Sequence, residues 1–305
     1  MKPVTKSILL LTIASILFAS PSFSQETIEV KCEKAVMSQG MQNAYSVNIP
    51  MGILKDVQTG WIKKLQENNK VKPVKVNDEF VMPDILVSAI TADTISVYSL
   101  FVEKETCIVL HVFVQIDSVF FSPSEDKSQL AAVKIDNGIK KYIRDFAVEQ
   151  YRLFAQEDLE AEEKLLKNLE NEHKKLGKQI EGYKKDISSL ENEIEKTERE
   201  IVTLDKEIEL KNQQVLDHKT SMLSLSTDIE KDAAKDKEKD LEKEKNKLEK
   251  ERMGKKNDIS DMKSDIGKNE KNISENEKLI EEKLEEINKQ KEEVSKAQAL
   301  LEGIK

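Results

Sequence analysis

From Leu166 onward, apolar residues recur at alternating spacings of three and four, the repeat of a coiled coil. One set steps by sevens through Ile180, Ile187, Ile194, Ile201 and Ile208, with Leu169, Leu176, Leu190 and Leu204 at the intervening positions. A second set runs from Leu241 through Leu248, Ile259, Ile266, Ile273, Ile280 and Ile287 to Ile304, out of phase with the first by two residues. A continuous coil absorbs insertions of three or four, not two. The pattern therefore predicts two arms, about 159–229 and 241–304, folded back as an antiparallel helical hairpin with its tip or break within 220–240. Phase alone places the tip at 230–240. The run of Ser and Thr that ends in the capping box Thr227-x-x-Glu230 places it at 220–227. Isoleucine alternating with leucine also suits a two-stranded parallel dimer, so hairpin monomer and dimer both stand.

Polar residues interrupt both seams: His173, Lys211 and His218 in the first, Arg252, Lys255, Asn269, Asn276 and Lys283 in the second. Such residues fix register and partner number at some cost in stability. That reading is preferred to pH sensing by the histidines, which stand too far apart along a helix to form one site.

Ahead of the arms the periodicity changes. Short runs rich in β-branched residues (27–30, 45–49, 74–82, 85–90, 95–102 and 107–121) read as strands. Ile53, Leu54, Val57, Trp61, Ile62 and Leu65 instead keep helical spacing, so 53–67 reads as an amphipathic helix anchored on a sheet by Trp61. In the final strand run Ile108, Leu110, Val112, Val114 and Ile116 share one face, while the other face is mixed. A further helix begins near Ser128. The order predicts an α+β head, a small antiparallel sheet with packed helices, over residues 25–127. A junction helix at 128–158 leaves it, and the long all-α coiled coil occupies 159–305.

The first residues are of another kind. Lys2 and Lys6 precede an apolar run from Ile8 to Ala19, then Pro21 and a small-x-small pattern at Ser22–Ser24. This is the layout of a secretory signal at 1–24, with cleavage between Ser24 and Gln25. The run is too short for a bilayer span, so no transmembrane segment is expected after cleavage, and the mature protein would be soluble in the periplasm or secreted.

Composition sharpens the division. Residues 151–305 hold 33 basic and 41 acidic residues but three of the chain's 15 aromatics, which excludes a globular enzyme core there. The whole chain carries a formal charge of −9, an unfavourable balance for a nucleic-acid partner. Cys32 and Cys107 are the two cysteines, and in an oxidising compartment they form a candidate disulfide. Cys107 and His111 share a strand face at about 13 Å, too far for one metal or for a nucleophile and its base. No phosphate-loop, GxSxG or HExxH pattern occurs. The reading names no catalytic, metal or cofactor residue.

The sequence therefore points to an exported, non-enzymatic coiled-coil scaffold or adaptor of the bacterial envelope. Its head would bind a protein partner, and its coil would act as a spacer, an interaction surface or a means of self-association. Two alternatives accompany it. A β-containing body with helical arms resembles the layout of the Skp/OmpH chaperones, which implies a periplasmic holdase. Here, however, the arms follow the sheet and the charge is acidic. The other alternative is an activator of an envelope enzyme.

Overall fold

The computed structural model describes residues 27–123 and 130–305, so the expected signal and its cleavage point lie outside the described residues. Seven antiparallel strands form the sheet: β1 (Lys31–Met37), β2 (Gly40–Pro50), β3 (Val74–Val76), β4 (Glu79–Leu86), β5 (Thr94–Glu103), β6 (Cys107–Ile116) and β7 (Val119–Phe120). Helix α1 (Leu54–Gln66) follows β2. Two long helices, α2 (Leu130–Met222) and α3 (Asp228–Gly303), follow the sheet. The chain divides into two compact units. One comprises residues up to Ala161 together with Val294–Lys305; the other is Glu162–Glu293.

In the first unit the strand order is β1-β2-β6-β5-β4-β3, with β7 paired to the far end of β6. Four strand runs differ from the sequence reading. The first strand is 31–37 and not 27–30. The run 74–82 is a hairpin turning at Asn77, whose φ is 56°. The run 107–121 breaks at Asp117 and Ser118, both at positive φ, the conformation of a tight two-residue hairpin turn. Met82 and Ile85 belong to one strand, β4, with a register shift at Pro83 and Asp84. Proline has no N–H to give a ladder, so a bulge is where a strand tolerates it.

One face of the sheet carries the main core. Tyr45, Val47 and Ile49 of β2, Val97 of β5 and Leu110 and Val112 of β6 meet Val57, Trp61 and Leu65 of α1 and Ile139, Ile143 and Phe146 of α2. Trp61 is 1% exposed, donates from Nε1 to Ser99 Oγ at 2.7 Å, and meets the rings of Tyr142 and Phe146 edge-on. Gly138 lets α2 approach the 89–90 turn: a Cβ there would lie 2.7 Å from the Ala89 carbonyl oxygen. The C-terminal residues belong to this core as well. Ile304 is 6% exposed within it, and Arg152 and Arg144 donate to the carbonyls of Ile304 and Lys305 at 2.8 and 3.0 Å. Residues 294–305, assigned from periodicity to the coil, thus pack in the first unit.

The opposite face is covered by its own hairpin. Ala35, Met37 and Ala44 pack with Tyr98, Leu100, Phe113 and Phe120. The turn is fastened where the N–H and hydroxyl of Ser38 both donate to the buried Glu79 carboxylate, each at 2.6 Å.

In the second unit the arms run antiparallel. Lys283 pairs with Glu172 and Asn276 bonds Gln179, so seven residues forward on α2 are seven back on α3. Lys255–Glu200 and Lys211–Glu244 continue that register. The turn occupies 223–227, and the capping box closes: Thr227 Oγ1 donates to Glu230 Oε2 at 2.6 Å and accepts from the Glu230 N–H at 3.3 Å. Ile229, counted from phase in the first arm, lies in α3 and is 85% exposed. The second register begins at Ala234, which is buried. A turn frees each arm to keep its own phase, which is why the slip of two costs nothing here. Among the described residues, no helix is long and apolar enough to cross a membrane.

Candidate functional site

Within the first unit, α1 and the stretch of α2 from Phe146 to Glu157 border an open groove of about 350 Å³. Helical spacing builds both banks. Asp56, Thr59/Gly60 and Lys63/Lys64 come from successive turns of α1 and Glu67 from its C-cap, and Phe146, Glu149/Gln150, Leu153/Phe154 and Glu157 come from successive turns of α2.

The floor is set by a glycine. A Cβ on Gly60 would stand 3.0 Å from Gln150 Oε1 and 3.1 Å from Nε2, so the carboxamide occupies the notch that the missing side chain leaves. Gln150 is only 8% exposed, yet among the described residues its carboxamide has no hydrogen-bond partner. The carboxamide keeps contact with solvent: among the described residues the one fully buried side-chain polar atom without a partner is Arg252 Nε. Phe146 and Phe154 lie buried beneath the carboxamide, and Leu153, 50% exposed, stands on the rim.

One side of the groove is held shut. Lys64 pairs with Glu149 at 3.1 Å and lies 5.6 Å over the Tyr142 ring, and the Tyr142 hydroxyl donates to the Lys64 carbonyl at 3.1 Å. Burial, then the nearby Glu67 and Glu149 carboxylates, pushes the Tyr142 hydroxyl up to about 12. Asp56, Glu67 and Glu157 outnumber Lys63 among the remaining rim charges, which leaves the rim acidic. The groove lining contains no histidine or cysteine.

The residues singled out from sequence lie elsewhere. Cys32 and Cys107 are free thiols on opposite sides of β2, the first paired with Tyr45 and the second with Pro50. Five residues along a strand is about 17 Å, whereas a disulfide needs Cα atoms within about 7 Å. The candidate disulfide is not made. His111 bonds Ser46 Oγ through Nδ1 at 2.7 Å, across from α1, and burial lowers its basicity. Among the described residues no cluster of three or more His, Cys, Asp or Glu could hold a metal ion.

The polar register residues all lie in the hairpin unit. Lys211 reaches Glu244 at 2.7 Å, His218 Nε2 meets the Ala234 carbonyl oxygen at 2.8 Å, and Asn276 donates to Gln179 at 3.4 Å. His173 and Asn269 are half-buried on their arms.

Sequence reasoning did not single out Gly60 or Gln150. The one available signal was Gly60 itself, since a glycine inside a short helix costs about 1 kcal/mol and so invites a packing reason. Its partner lies 90 residues away, and nothing in the local pattern joins the two. No family model, no curated protein and no solved structure matches this chain.

Proposed function

We propose that the chain is an exported, non-enzymatic scaffold or adaptor of the cell envelope. It takes a partner protein in the groove between α1 and α2 and offers the helical hairpin, a coiled coil in kind, as spacer or second interaction surface. The observation that carries this reading is the unpartnered carboxamide of Gln150 at the floor of an open groove. Support for the hairpin's role comes from its internal bonds. Lys255–Glu200, Lys211–Glu244 and Lys283–Glu172 tie one arm to the other, so the arms need no second chain to satisfy them. Export rests on the sequence of residues 1–24.

The test is a photo-crosslinking residue placed at Thr59, on the groove rim, in cells of the source organism. A single envelope-protein adduct, absent when Gly60→Val displaces the Gln150 carboxamide from the notch it occupies, is the expected result. Adducts that persist unchanged in that variant would remove the groove from the account.

A further inference from the structure

We propose that the groove selects its partner by a carboxamide, the side chain of an Asn or Gln on a polypeptide segment, with a basic residue beside it; this rests on the groove being the partner site. The chemistry follows from what Gln150 leaves open. Its side chain presents a carbonyl acceptor and an N–H donor in one plane. A second carboxamide satisfies both at once through two parallel hydrogen bonds. A carboxylate matches only the donor and sets oxygen against oxygen, and an ammonium matches only the acceptor. Either leaves one polar atom of Gln150 covered by the occupant and unpaired, which is where binding sites gain their strongest discrimination.

The walls fit the same occupant. Leu153, half-exposed on the rim, offers apolar surface to the methylenes of a glutamine-like side chain. On the rim, Asp56 and Glu157 have no ion-pair partner among the described residues, so a neighbouring Lys or Arg is favoured and an acidic segment repelled. Length argues for a polypeptide. The α1 bank runs from Asp56 to Glu67, about 16 Å at 1.5 Å per residue. That is longer than one side chain and close to the span of five residues of extended chain.

Three capped peptides provide the test: acetyl-Lys-Gln-Leu-amide, the same peptide with Met for Gln as a neutral shape mimic, and the same with Glu. Their main-chain amides are identical, so only the central side chain is compared. Binding to the full chain is measured by ligand-observed saturation-transfer NMR. The glutamine peptide is expected to bind at least tenfold tighter than the other two. Gln150→Leu should erase that preference, Thr59→Trp at the mouth should abolish binding of all three, and His111→Ala on the other sheet face should change nothing. Equal binding of the Gln and Met peptides, or a preference that survives Gln150→Leu, overturns the carboxamide assignment. If Thr59→Trp still blocks such unselective binding, the groove remains a peptide site. If it does not, or if no peptide binds at about 1 mM, the carboxamide assignment falls, and the crosslink at Thr59 decides the groove on its own.

Discussion

The two units are specified by different physics. In the first, Tyr45, Trp61, Ile49 and Leu110 are at most 1% exposed, each enclosed by residues from several elements far apart in sequence. In the hairpin the best-buried described residue, Ile287, keeps 4%, and Ile194, Ile201 and Ile259 keep 9%. A two-helix seam has solvent along both flanks and cannot close over a side chain as a sheet with two helices can. The hairpin compensates with number: a repeated isoleucine every seven residues and several cross-arm ion pairs, each individually weak. One unit is therefore sensitive to single residues, and the other is sensitive to pattern.

The sharpest way to break that contrast is Phe146→Ala, which removes a ring packed on Trp61. A loss of about 3–5 kcal/mol is expected from emptying such a site, read from urea unfolding followed by the fluorescence of Trp61, the chain's single tryptophan. Ile201→Ala in the hairpin seam should cost less, about 2 kcal/mol, the low end for removing an isoleucine side chain, because the site is already wetted. Far-UV dichroism reports it. Equal costs for the two would erase the distinction.

Next in size is the hairpin turn. Thr227→Ala removes the cap on α3 and should cost about 1 kcal/mol, with faster hydrogen exchange confined to the first turns after Asp228. An acidity effect separates the units further. The folded value of Tyr142, about 12, lies above the ordinary phenol value of 10.0. A raised folded value means that the stabilisation is complete below pH 10 and is lost as pH climbs toward 12. The Trp61-monitored midpoint should fall across that window, and Tyr142→Phe should make the fall shallower, the remainder belonging to Tyr45, whose hydroxyl burial and the Asp136 hydrogen bond also push up. The smallest effect is Lys255→Ala: its pair with Glu200 is partly open to solvent, and a shift of the hairpin's thermal midpoint smaller than that of Thr227→Ala is expected.

How much was legible in the sequence follows the same divide. Ile180, Ile194, Ile201 and Ile208, read as seam positions from spacing, are among the buried residues of the hairpin, because a seam is written locally in every turn. The capping box at Thr227 was legible for the same reason. Two locations failed where tertiary packing decided: residues 294–305 keep coil spacing but pack in the first unit, and Cys32 and Cys107 fall on opposite sides of β2. In the sheet, the antiparallel class and the face of β6 carrying Leu110 and Val112 could be read from alternation. The turns at Asn77 and Asp117-Ser118 could not, since neither contains glycine. The groove was invisible because it exists only where Gly60 meets Gln150.

The account depends on the arms of one chain filling each other's seam, and a cross-link tests that most directly. In a chain with Cys32 and Cys107 replaced by serine, Gln179→Cys and Asn276→Cys place two thiols at positions whose side chains meet at 3.4 Å. Treated with a short bis-maleimide, this chain should give a cross-linked monomer, with a yield independent of protein concentration. Covalent dimers whose yield rises with concentration would show that the seam is filled by a second chain, and would contradict the account.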